Sequence, residues 1–240
     1  MKYVLMLLLA VLPALLLGLY IWLRDPKKEP VLQLLKAAGM GMAVCIPVAF
    51  IEVGISWLLF GFDGSPTTLI GTTTQAFFVA ALPEELAKLF VVWVVLYKNP
   101  YFDEHFDGIV YAVFVGLGFA LVENISYIFQ NEETWLTVGI GRALLSVPGH
   151  YAFAVIMGYF YSVYHFVNHS KSIAACILLV PFVVHGIYDA LAMSGAVSPI
   201  VGGLSFLVLI YFCIKLHAVA ESRLKALIDK DRLTPKNDFL

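Results

Sequence analysis

The chain has 240 residues, is 61% hydrophobic and 13% charged, and carries a formal net charge of -2, with a mean hydropathy of +0.88. That composition lies outside the range of soluble globular domains and describes an integral membrane protein, and the near-neutral charge balance offers no polybasic face for nucleic acid. Cys45, Cys176 and Cys213 each stand alone inside an apolar run, which argues against a disulfide framework and against a thiolate metal site.

Crossing a bilayer takes about 20 apolar residues per helix. Seven runs meet that length, at 4–23, 35–60, 69–97, 106–129, 137–167, 173–193 and 199–216. The expected fold is therefore all-α, a polytopic membrane helix bundle of about seven transmembrane helices. The first run reads as a span and not as a signal peptide, because "RDPKKEP" and another apolar run follow it instead of a cleavage site and a polar domain. Of the 15 Lys and Arg residues, 12 fall on one side of the alternating loops, clustered around Arg24–Lys36, at Lys98 and Lys171, and from Lys215 onward. The excess of basic loop residues marks the cytoplasm, so the N-terminus is expected outside and the C-terminus inside. Residues 1–220 read as the bundle and 221–240 as a solvated cytoplasmic tail.

A charged side chain at the bilayer centre costs at least about 2.5–3.5 kcal/mol on insertion scales, so each needs a partner or a task. The third run carries Glu84, Glu85 and Lys88, the fourth Glu123 with Asn124, the fifth Arg142 and His150, and the sixth His185 and Asp189. Helical spacing makes Glu84 and Lys88 an i, i+4 pair and Glu85 and Lys88 an i, i+3 pair, so Lys88 can neutralise one carboxylate while the other stays free. His185 and Asp189 are again four apart, a spacing at which a carboxylate can hold an imidazole in one tautomer. Pro83 removes a backbone donor just ahead of the two glutamates and interrupts regular helix there. At about 1.5 Å per residue, the acidic and imidazole groups of the four spans fall at overlapping depths in the outer half to middle of the bilayer.

Carboxylates and imidazoles with no serine or cysteine beside a base point to activation of water and not to a covalent nucleophile. Zinc is compatible with these residue types but is not required by them, and the H-E-x-x-H signature is absent. Two other readings use the same residues. A proton-coupled transporter would run a relay across the membrane, yet the inner halves of the fourth and sixth runs hold few ionisable groups. A non-catalytic scaffold would have little reason to keep all four sites.

Taken in order, "EELAK", "FDGIVYAVFVGLGFALVENISY", "RALLSVPGHYAFAVIMGYF" and "HGIYD" resemble the PrsW family of intramembrane proteases, itself similar to the CAAX-protease and bacteriocin-processing superfamily. The likeness covers about 69–191, and it departs at Ala112, where a glycine is expected. It implies a bacterial plasma-membrane endopeptidase that cuts a single-span membrane protein such as an anti-sigma factor near the extracytoplasmic side, from a catalytic core at about 69–194. Carried onto this chain, the resemblance implies that Glu84 and Glu85 include the water-activating carboxylate. Glu123, Asn124, His150 and His185 complete the site, and Lys88 and Asp189 orient it. Were a metal bound, Glu85, Glu123, His150 and His185 would be its ligands; metal dependence itself stays open, as does the choice between Glu84 and Glu85.

Overall fold

A computed structural model describes residues 1–61 and 65–233. The helices run α1 (Lys2–Arg24), α2 (Val31–Phe60), α3 (Leu69–Thr74), α4 (Leu82–Leu96), α5 (Asp107–Gln130), α6 (Trp135–Gly141), α7 (Val147–Phe166), α8 (Lys171–Met193) and α9 (Pro199–Leu233). A π-helical segment, Gln75–Ala81, joins α3 to α4, and a second, Arg142–Ser146, joins α6 to α7. Seven helical rods therefore result among the described residues, with no strand. Six of the rods are long and apolar enough to cross a membrane. The other, 69–96, is the one that holds Glu84, Glu85 and Lys88.

Both π segments end at a proline in the first turn of the next helix, Pro83 in α4 and Pro148 in α7. Proline has no N–H to give and its ring crowds the carbonyl a turn earlier, and one wider turn absorbs both defects without ending the rod. The interruption expected at Pro83 is thus a local widening. At the other rod ends, the Thr68 hydroxyl accepts from the Gly71 N–H at 3.1 Å and the Ser170 hydroxyl from the Ile173 N–H at 3.3 Å, starting α3 and α8. Gly61, at φ 77°, ends α2 in the left-handed region that a Cβ disfavours.

The bundle is organised around α5, which packs against α1, α2, α4 and α7. Its residues Ile109, Val110, Tyr111 and Val113 are wholly buried. Close approach depends on glycine: a Cβ at Gly118 would lie 2.1 Å from the Ala38 carbonyl oxygen, and one at Gly41 2.1 Å from that of Val115. Small residues at such crossings are how helices associate where no water drives them together. Gly118→Ala is accordingly expected to cost about 1–3 kcal/mol. A thermal midpoint equal to wild type in detergent would sink that account of the α2–α5 contact.

The outside of the bundle is apolar, with Leu8, Leu12 and Leu15 of α1, Phe50 and Leu58 of α2 and Ile200, Leu207 and Ile214 of α9 exposed, while its charged residues are drawn inward. This is the arrangement a lipid solvent selects. The chain extends α9 beyond the apolar stretch, and where a solvated tail is expected, Leu224, Leu227 and Ile228 are buried on one face. Asp231 then accepts from the His105 and Phe106 backbone N–H groups at 2.9 and 2.8 Å and contacts the His105 ring at 2.6 Å, pinning the α4–α5 loop. Residues 234–240 lie outside the described residues.

Beside that loop, the buried Glu29 carboxylate takes a hydrogen bond from Tyr111 at 2.5 Å. Burial, helped by the neighbouring Asp25 and Asp103 carboxylates and opposed by the Tyr111 bond, pushes Glu29 up to about 7. Its folded value exceeds its ordinary 4.5, so its contribution to stability is complete below that value and is lost as pH rises through about 7. Glu29→Gln should therefore raise the thermal midpoint more at pH 8 than at pH 5; equal shifts at both would contradict the burial.

Candidate active site

Four rods bring the intramembrane charges together. On α4, the Lys88 ammonium lies 2.8 Å from Glu84 Oε2 and 3.0 Å from Glu85 Oε1. It reaches across to α7, where His150 Nδ1 is 3.1 Å away, and it sits over the Phe119 ring of α5 at 4.3 Å. An ammonium has only donors, so Nδ1 accepts, and the ring carries its proton on Nε2. That Nε2 meets Glu123 Oε2 of α5 at 2.8 Å. On α8, His185 lies between two carboxylates, with Nδ1 at 2.9 Å from Glu85 Oε1 and Nε2 at 3.3 Å from Asp189 Oδ2. Phe153 stacks on the His185 ring at 4.5 Å and fixes its plane. The i, i+3 and i, i+4 pairs anticipated within α4 and α8 are thus links in a network spanning four helices.

The network opens on a cleft of about 470 Å³ whose walls include Glu84, Glu123, His150, His185 and Asp189. Glu84 and Glu85 part at the cleft wall. Glu84 lines it, whereas Glu85 is wholly buried and is held by Lys88 and His185. Adjacent residues on a helix diverge by about 100°, which is why both cannot face one cavity. Asn124 stands behind the wall: its amide accepts from Arg142 Nε at 2.9 Å and donates to the Ala10 carbonyl at 2.8 Å, tying α5 to α1.

Two charged residues of the cleft have no role assigned from sequence. Arg142 is the first residue of the second π segment, just before α7, with its guanidinium 3.3 Å from Glu123 and over the Tyr127 ring at 4.1 Å. Its place in the sequence says nothing of its direction, and the packing sets it against Glu123 and Tyr127. Glu52, on α2, also lines the cleft; a lone carboxylate in an apolar run is a signal legible in sequence.

Ligand atoms of Glu84, His150 and His185 all lie within 4.8 Å of one another. Two imidazoles and a carboxylate form a donor set suited to zinc. Of the four ligands implied by the resemblance, the two histidines belong to this group and the carboxylate grouped with them is Glu84, while Glu85 contacts His185 and Lys88, and Glu123 contacts His150 and Arg142.

A lipid-facing bundle that gathers carboxylates and imidazoles around a buried polar cleft is built as an intramembrane hydrolase. Comparison with known proteins agrees. A family model described as "PrsW family intramembrane metalloprotease" matches residues 29–217. The chain is 36% identical over 215 residues to Protease PrsW of Oceanobacillus iheyensis, covering 89% of this chain and 91% of that one. It is 34% identical to the Protease PrsW of Clostridioides difficile, covering 78% of each, and 37% identical to that of Geobacillus kaustophilus, covering 77% and 78%. No solved structure matches it significantly. The chain belongs to the PrsW family: it is a multi-pass bacterial membrane protein and a peptidase.

Proposed function

We propose that the chain cuts a single-span membrane protein, of the anti-sigma-factor type, at a peptide bond near the extracytoplasmic side of the bilayer. The observation that carries this reading is the opening of the Glu84–Lys88–His150–Glu123 network onto a cleft lined by carboxylates and imidazoles within the apolar spans. The loop charges support the cleft's placement toward the outer side, since the loops that carry Lys27, Lys28 and Lys98 and the end of α9 meet at the opposite end of the rods. A transmembrane proton path fits less well, because the next buried residues of α4 beyond Lys88 are the apolar Val91, Val92 and Leu96.

In this reading Glu84 faces the attacking water. Lys88 holds that carboxylate in place and fixes the tautomer of His150, whose Nε2 lies 2.8 Å from Glu123. Arg142, anchored by Asn124, offers N–H donors toward the oxyanion that forms as the carbonyl is attacked. Glu85 and Asp189 clamp His185 from both ring nitrogens. Glu84, His150 and His185 are the residues that would hold a zinc ion, which when bound supplies a water acidified toward neutrality and polarises the carbonyl. The test is reconstitution of the full chain in liposomes with bacterial single-span proteins tagged at both ends. Wild type should yield two fragments whose junction, by mass, lies in the outer part of the span. Fragments equally abundant with Glu84→Gln would overturn the reading.

A further inference from the structure

The cleft holds one acid that the network leaves over. Four carboxylates line it, Glu52, Glu84, Glu123 and Asp189. Glu84 is matched by Lys88, Glu123 by Arg142 and His150, and Asp189 by His185. Glu52 is half-buried and makes no hydrogen bond or ion pair with the described residues. An ionisable side chain within a span marks a functional site by default, and no cation of the chain is left in the cleft to pair with it, since Lys88 and Arg142 are both engaged.

Its setting on α2 says what kind of function. Up to Val48 that helix is held to the bundle, with Gly41 against Val115 of α5; beyond Val48 none of its residues is buried. Glu52 therefore lines the cleft together with Glu84 and Glu123 from the part of α2 that lies beyond its last buried residue. At about 1.5 Å per residue it lies roughly 12 Å below the end of α2, level with the depths expected for the catalytic groups.

We propose that Glu52 is a substrate-recognition carboxylate that receives a cationic group of the polypeptide, an ammonium or guanidinium, beside the bond to be cut. The assignment rests on the protease reading above. Two groups offer this chemistry: a lysine or arginine side chain of the substrate, and the amine newly formed on the product. An extended cationic side chain brings the missing countercharge into the cleft, and the same interaction selects the substrate.

The full chain in phosphatidylcholine liposomes is given fluorescent single-span peptides, identical except for Lys, Gln or Glu scanned through the outer third of the span. Two further peptides, matching a product, carry a free or an acetylated N-terminus in that region. Binding is read by fluorescence and cleavage by fragment release. Wild type should prefer Lys over Gln at one position, or the free amine over the acetylated one, by at least about tenfold, the worth of a hydrogen bond to a charged group. Glu52→Asp should keep that preference, Glu52→Gln erase it, and Glu52→Lys turn it toward the Glu peptide. A preference for Lys assigns the side chain, and one for the free amine assigns the product. No preference in wild type, or the same preference in Glu52→Gln, overturns the proposal. Because binding needs no turnover, a chain that shows the preference but never cuts refutes the protease reading alone, and one that cuts without preference refutes only the role of Glu52.

Discussion

Glu84→Gln and His150→Gln are each expected to lower kcat/KM by about 10²–10⁴-fold, the range of a positioned acid or base, which is about 3–5.5 kcal/mol of transition-state stabilisation. Both side chains line the cleft, and both contact Lys88, so each variant removes one arm of the network while leaving the ammonium at least one carboxylate. Their thermal midpoints should consequently stay near wild type. Glu85→Gln provides the contrast. Glu85 is wholly buried and its Oε1 is shared between Lys88 and His185, so its loss should appear first as instability, with a smaller drop in turnover per folded molecule. Equal losses of activity at equal stability for Glu84→Gln and Glu85→Gln would refute the division of labour between them. Elemental analysis gives a second readout: zinc retained by purified protein should fall in His150→Gln and His185→Gln and persist in Glu123→Gln, because Glu123 is outside the group formed by Glu84, His150 and His185.

Much of this arrangement is legible in the sequence, and the parts that are not share a physical cause. Hydropathy reveals the rods, since lipid demands long apolar runs, and the charges inside them reveal the site, since lipid tolerates so few. Spacing within one helix predicts Glu84 to Lys88 and His185 to Asp189, both of which form. Spacing says nothing about which face meets which neighbour. So the contact of Lys88 with His150 and the inward aim of Arg142 emerge only from packing, and the choice of Glu84 for the cleft wall is equally invisible to spacing. The widened turns before Pro83 and Pro148 have a signal in the prolines themselves, but a proline is equally consistent with a kink or a break. At the chain's end, Leu224, Leu227 and Ile228 repeat at helical spacing and could have announced a docked face. The high charge of the surrounding residues hides that stripe when composition alone is read.

Lys88→Met should be the most damaging single change in the bundle, because it leaves Glu84 and Glu85 facing each other's charge in a buried site without their shared cation. Breaking a buried pair by removing one partner costs about 3–5 kcal/mol, chiefly for the charge left behind. Here two carboxylates are left, Lys88 being within 2.8 Å of one and 3.0 Å of the other. Met keeps most of the aliphatic stem, so loss of packing contributes little, while the ammonium's contact with the Phe119 ring at 4.3 Å is lost with the charge. Activity should fall along with stability, because His150 Nδ1 loses the donor that holds its tautomer. Lys88→Arg should rescue only in part, since a planar fork does not reproduce three donors diverging from one nitrogen. The decisive measurement is a double-mutant cycle on thermal unfolding. Adding Glu84→Gln to Lys88→Met removes one orphaned charge and should recover part of the lost stability without restoring cleavage. If the double variant is no more stable than Lys88→Met, the two side chains are uncoupled and the ammonium does not hold the site together.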